Sequence, residues 1–149
     1  MGISFKSETL TNSTLIPVVT ELRLVGVFEP GVPNRERIVL KVETRLDIGM
    51  YAIVLGRRVQ QVGHAAPMTD SMYWIGSGTV EPNDWFYLFT GSGTRTIIPP
   101  DVDHGKLFVE FWGRPLTVFQ DGQIVPMLWR LSGATVERSA PELPASLPQ

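Results

Sequence analysis

The chain has 149 residues, 43% of them hydrophobic and 19% charged, with a formal net charge of -2 and a pI near 5.7. That length makes one ordinary domain, able to bury roughly 70% of the surface its unfolded form exposes, and the slight acidity excludes a general attraction to phosphate backbones, so nucleic acid is not an expected partner. The sequence contains no cysteine, which removes disulfide frameworks and thiolate chemistry together, and no run approaches the ~20 apolar residues of a membrane span.

Residues 1–14 are polar and aperiodic and read as an N-terminal arm. Their opening, MGISFKSETL, lacks the apolar run of a signal peptide, which leads to an expectation of cytoplasmic synthesis. Between 15 and 28 the pattern becomes strand-like, with Leu22, Leu24, Gly26 and Phe28 sharing one face and Pro17 suited to an edge or a strand start. EPGVPN at 29–34 is a turn cluster. Residues 37–45 alternate cleanly, Ile38, Leu40 and Val42 against Val39, Lys41 and Glu43, as a half-exposed antiparallel strand does. The run MYAIVL at 50–55 is short, glycine-bounded and rich in β-branched residues, so it also predicts a strand. Residues 62–70 read as loop.

The stretch from 73 to 94 reads as the central hairpin of a β-domain: Tyr73 to Ile75, a turn-rich loop, then Trp85-Phe86-Tyr87-Leu88-Phe89. Because side chains alternate with a period of two, this last strand is apolar on both faces. The same doubling holds at 50–55 and at 107–112. Ile97 and Ile98 run into Pro99-Pro100. In 107–112 the residues Leu107, Val109 and Phe111 align, with Phe108 and Trp112 flanking Glu110 on the opposite side. Residues 116–119 and 124–131, joined through Asp121-Gly122, predict a tight hairpin. The segment 137–149 holds three prolines and little apolar mass, and reads as a tail.

No catalytic signature accompanies this pattern, and the expectation is a protein that is not an enzyme and carries no cofactor. The candidate for an ion is Asp101, Asp103 and His104, two oxygen donors and an imidazole in one loop without the spacing of a calcium loop. Asp70, Glu81, Asp84 and Glu110 are carboxylates that folding could pair, though nothing in their spacing says so. The aromatic residues say more. Strands apolar on both faces need a third layer, and large exposed apolar patches mark binding surfaces; Trp85, Tyr87, Phe108 and Trp112 are the predicted partner-facing residues.

The succession ERIVLKV, MYAIVLG, Glu81-Pro82-Asn83-Asp84 leading into the aromatic strand that ends Thr90-Gly91-Ser92-Gly93, the strand ending at Trp112 and the Asp121-Gly122 turn resembles the lamin-tail type of immunoglobulin-like domain, over approximately residues 35–131. The resemblance implies an immunoglobulin-type sandwich that acts as an attachment module.

The sequence therefore predicts an all-β antiparallel sandwich or flattened barrel of about eight strands, immunoglobulin-like or jelly-roll in style, over residues 15–136. Its expected role is that of a structural or attachment subunit in a homo-oligomer or larger assembly, such as a virus particle or a surface complex. The alternatives are a carbohydrate-binding module, with a glycan as partner, and a metal-dependent hydrolase using the loop of Asp101, Asp103 and His104.

Overall fold

The computed structural model describes residues 17–59 and 64–137; the predicted N-terminal arm and all but the first residue of the predicted tail lie outside them. Ten strands occur among the described residues: β1 (Leu22–Phe28), β2 (Arg37–Val42), β3 (Leu46–Asp47), β4 (Tyr51–Val59), β5 (His64–Trp74), β6 (Thr79–Val80), β7 (Trp85–Phe89), β8 (Thr96–Ile98), β9 (Leu107–Phe111) and β10 (Ile124–Arg130). They build a five-stranded sheet in the order β1-β2-β7-β9-β8, a three-stranded sheet β10-β4-β5, and a small β3-β6 pair. The fold is all-β and sandwich-like, and its sheets do not close into a barrel.

The core forms where the alternating sets meet. Ile38, Leu40 and Val42 of β2 and Phe86 and Leu88 of β7 face Ile53 and Leu55 of β4, all of them at most 1% exposed. Each fully buried aliphatic or aromatic side chain stabilises the fold by about 1.5–3 kcal/mol. The alternation predicted at 37–45 is thus the inner face of the larger sheet.

Four expectations need correction. First, β7 pairs with β9 in parallel, Trp85 opposite Leu107 and Phe89 opposite Phe111, so the larger sheet is not wholly antiparallel; β8 lies beyond β9 and runs antiparallel to it. Second, Tyr73-Trp74 and Trp85–Phe89 are not a hairpin. The first pair closes β5 in the smaller sheet, and the loop after it pairs Thr79 and Val80 with Asp47 and Leu46, carrying the chain across to the larger sheet. Third, residues 64–70 are strand: Ala65, Ala66 and Pro67 pair with Arg58, Arg57 and Gly56, and a bulge then interrupts the register before Met72 meets Val54. The bulge contains Asp70 at φ 54, and the Ser71 hydroxyl donates to the Met68 carbonyl, with the Leu55 carbonyl 3.3 Å away. Fourth, residues 116–119 form no hairpin with β10, which pairs with β4 instead.

The physical cause of the fourth correction is Glu36. This carboxylate is 1% exposed. It accepts hydrogen bonds from the backbone N–H of Val118 at 2.7 Å and of Phe119 at 2.8 Å, so those amides are not free for a strand ladder. The Gly31 N–H at 2.7 Å and the Thr90 hydroxyl at 2.7 Å complete its shell. Burial favours the neutral acid, but the four donors outweigh it and hold the Glu36 carboxyl below the ordinary carboxylate range.

In β1 the register slips between Leu24 and Gly26, a β-bulge that turns Val27 inward and leaves Phe28 outward, 44% exposed. At the other end of the sandwich, Glu21 joins β10 to β4. Its carboxylate accepts from Arg130 Nε at 2.8 Å, from Arg130 Nη2 at 3.2 Å and from the Tyr51 hydroxyl.

Candidate functional site

The two sheets each bury one face against the other, so function has to be sought on their outer faces and rims. On the larger sheet the outer face carries Trp85, Tyr87 and Phe89 of β7 beside Leu107, Val109 and Phe111 of β9, all half-buried. This strand is apolar on both faces as predicted, but the chain supplies part of the cover itself. The Arg37 guanidinium lies 5.2 to 5.7 Å from the ring centres of Phe28, Tyr87 and Phe89, and Lys41 Nζ is 5.7 Å from that of Trp85. A cation held over an aromatic face is attracted by the ring quadrupole, and Arg37 is anchored there by Glu29 at 2.9 Å.

The smaller sheet differs. Its outer face is built in rows across β10, β4 and β5: Trp129, Ala52, Trp74 in one and Met127, Val54, Met72 in the next. Val125, Gly56 and Pro67 form the third row. No residue of these rows carries charge. Ala52 and Val54 are shielded between their larger neighbours, whereas Trp74 is 56%, Met72 52% and Trp129 38% exposed. The Trp74 indole is fixed by donating from Nε1 to the Gly49 carbonyl at 2.9 Å. Two open grooves, of about 600 and about 560 Å3, share Trp129 and Pro67 in their walls.

The predicted partner residues are therefore not one layer. Trp85 and Tyr87 share the outer face of the larger sheet. Phe108 has the opposite parity: its ring stacks on Phe86 at 4.7 Å and packs against the core. Trp112 lies beyond the end of β9, 5.4 Å from Tyr73, and also packs against the core. The most exposed tryptophan, Trp74, and its row partner Trp129 are not among the predicted residues. The signal available in the sequence was that β4 is apolar at both parities while containing a small residue, Ala52, which leaves room for a large neighbour on each side.

The loop of the ion candidate is an Asx turn. Asp101 Oδ1 accepts from the N–H of Asp103 at 2.8 Å and of His104 at 3.1 Å, while Oδ2 lies 3.0 Å from His104 Nε2. These backbone donors, the Asp103 N–H foremost, hold the Asp101 carboxyl below its ordinary value. Both oxygens and the imidazole thus serve the loop itself, and among the described residues no group of three or more His, Asp or Glu side chains is placed to hold a metal ion. The loop packs against the start of β7 through Asp84, which is 5% exposed and accepts from the N–H of Lys106 at 2.8 Å and of Glu81 at 3.0 Å.

Glu110, the other buried carboxylate of the predicted set, faces inward from β9. It accepts from the Tyr73 hydroxyl at 3.1 Å and pairs with Arg95 Nε at 2.7 Å. Burial, followed by the charge of Glu110, pushes the Tyr73 phenol up to about 12. The contacts of Asp84 and Glu110 are structural ones: Asp84 binds the backbone around its own loop, and Glu110 ties β9 to β5 and Arg95. Among the described residues no helix is long and apolar enough to cross a membrane. Comparison with protein family models, curated proteins and solved structures yields no match.

Proposed function

We propose that this protein is a non-enzymatic structural or attachment subunit that assembles through the outer face of its smaller sheet. The observation that carries the reading is the contrast between the two outer faces. The aromatic residues of the larger sheet are covered in part by Arg37 and Lys41, while the rows centred on Ala52 and Val54 present Trp74, Trp129 and Met72 to water with no charged group among them. Exposed apolar surface of this kind marks an interface, and tryptophan and methionine are enriched where proteins meet.

Rows without charge, with Arg130 and Asp70 of opposite sign in the walls of the two grooves, complement their own copy, so the partner proposed is a second chain of this protein, packed sheet on sheet about a two-fold axis. The edge of β5 is a poorer route to assembly, since Pro67 lacks a donor and the bulge before Met72 interrupts the ladder. From the fractional exposures, the apolar patch amounts to on the order of a few hundred Å2. That is less than the roughly 800 Å2 per partner of a standard interface. Association should accordingly depend on concentration, and a larger assembly such as a particle or surface complex would add contacts elsewhere. The lamin-tail resemblance of residues 35–131 points the same way, toward attachment.

Light scattering across a concentration series tests the reading. The expected result is a mass that rises with concentration and falls back to the monomer in Trp74→Ala/Trp129→Ala. A protein that stays monomeric at high concentration and binds no apolar dye refutes it.

A further inference from the structure

We infer that the cleft beside the first half of β7 is a binding site for a neutral saccharide. This goes beyond the assembly reading and does not depend on it, because the cleft lies on the larger sheet. It is an open hollow of about 450 Å3, within the range of small-ligand sites. Its floor is apolar: Trp85 and Tyr87 stand two residues apart on one strand, hence about 7 Å from each other along it, and Leu107 lies opposite Trp85 in the register. Its rim is polar, with Lys41 from β2, Asn83 from the turn before β7, and Asp103 and His104 from the Asx-turn loop.

The rim is built rather than incidental. Asn83 sits at φ 73, and its carbonyl accepts from the Gly105 N–H at 2.9 Å. A Cβ on Gly105 would overlap Asp84 Oδ1 and lie 2.8 Å from the Asn83 carbonyl oxygen, so only glycine lets the loop approach this closely. The polar groups gathered there retain capacity. The Asn83 amide nitrogen reaches only the Asp103 carbonyl, at 3.5 Å, and among the described residues no hydrogen bond engages the Asp103 carboxylate or the Tyr87 hydroxyl.

The chemistry of these groups selects the ligand. A sugar ring carries C–H groups on its faces and hydroxyls around its edge, which matches an aromatic floor edged by both donors and acceptors. Phosphate is disfavoured, because Lys41 lies 4.0 Å from Glu43 and shares the rim with the Asp103 carboxylate, and His104 is already engaged by Asp101. A metal ion is disfavoured because Asp101 uses its oxygens within the loop.

Calorimetric titration with cello-, chito-, manno- and malto-hexaose tests the site. At least one hexaose is expected to bind. Trp85→Ala should abolish that binding, and Asp103→Ala, an exposed loop change that keeps the fold, should weaken it by roughly fivefold, the worth of one hydrogen bond. Trp74→Ala on the opposite sheet should leave it unchanged, and Trp85→Ala should leave the concentration dependence of the mass unchanged, so the two readings fail separately. Should Trp85→Ala not fold, Tyr87→Phe takes its place with the same fivefold expectation. Silence across all four hexaoses overturns the assignment, as does binding that is indifferent to Asp103→Ala and to the aromatic variant.

Discussion

Replacing Glu36 by glutamine keeps the side chain's shape and removes its charge, which makes it a sharp test of what holds this sandwich together. One carboxylate oxygen accepts from the Val118 N–H and the Thr90 hydroxyl, the other from the N–H groups of Gly31 and Phe119. In Glu36→Gln an NH2 must face one of these pairs. The less costly orientation points it at Val118 and Thr90, since the hydroxyl can rotate to accept, but the Val118 N–H is then buried against a donor. That loss costs about 1–3 kcal/mol, and the two remaining bonds lose their charge assistance at about 1 kcal/mol each. The expected destabilisation is about 3–5 kcal/mol, which lowers the urea midpoint by roughly 2 M for a typical slope. The pH dependence has a definite sign. Because the folded carboxyl is held below its ordinary value of 4.5, its contribution is fully present above that value and disappears as pH falls through the lower folded one. Glu36→Gln should therefore lose stability at neutral pH and show a flatter acid limb than the parent. A midpoint shift equivalent to less than about 1 kcal/mol, or an acid limb as steep as the parent's, would refute the account.

The ion pair at the far end of the sandwich gives a second acid-sensitive contact: chiefly through Arg130, the Glu21 carboxyl is held at about 2, so its contribution is lost as pH falls from 4.5 toward 2, and Arg130→Gln should make a pH titration of stability less steep in that window. Gly105→Ala should push the Asx-turn loop off Asp84 and cost about 1–3 kcal/mol as overpacking does, read as a lower thermal midpoint together with loss of hexaose binding. Among the three tyrosines of the chain, Tyr51 and Tyr73 should ionise late, near 12; in Glu110→Gln the Tyr73 step should move to lower pH, and an ultraviolet titration in which it does not move would separate the phenol from that carboxylate.

Much of the architecture was legible because it depends on local alternation. Ile38, Leu40 and Val42 announced an inner face, and the doubled apolar character of 50–55 and 85–89 announced strands with apolar side chains on both faces of their sheets. What was not legible depends on partners distant in sequence. Residues 116–119 have the composition of a strand, yet their amides are taken by Glu36, 82 and 83 positions earlier. Residues 64–67 look like loop because two alanines and a proline carry no period, and they become strand only because β4 continues to Val59 and offers them a ladder. The parallel pairing of β7 with β9 follows from where β8 is placed, which no window of sequence contains. The same limit applied to the candidate site: alternation could show that Trp85 and Phe108 belong to strands, but not that pairing Phe86 with Phe108 would send the latter inward.

The difference between the two outer faces is what singles out the smaller sheet as the proposed assembly surface. A strand apolar at both parities can be accommodated by cationic side chains from its neighbours, whose stems cover apolar surface while their heads stay near water. β2 does this for β7, offering Arg37 opposite Phe89 and Lys41 opposite Trp85. β4 has no such neighbour: opposite Ala52 stand Trp129 and Trp74, opposite Val54 stand Met127 and Met72. Filling those positions with large apolar groups protects the small residues between them but moves the exposed apolar area outward by one layer. Exchanging Met72 for lysine would imitate the arrangement of the larger sheet, and on this argument it should raise solubility and abolish self-association without unfolding the protein, since Met72 is already half in water. Self-association that survives the exchange would mean that the assembling surface lies elsewhere.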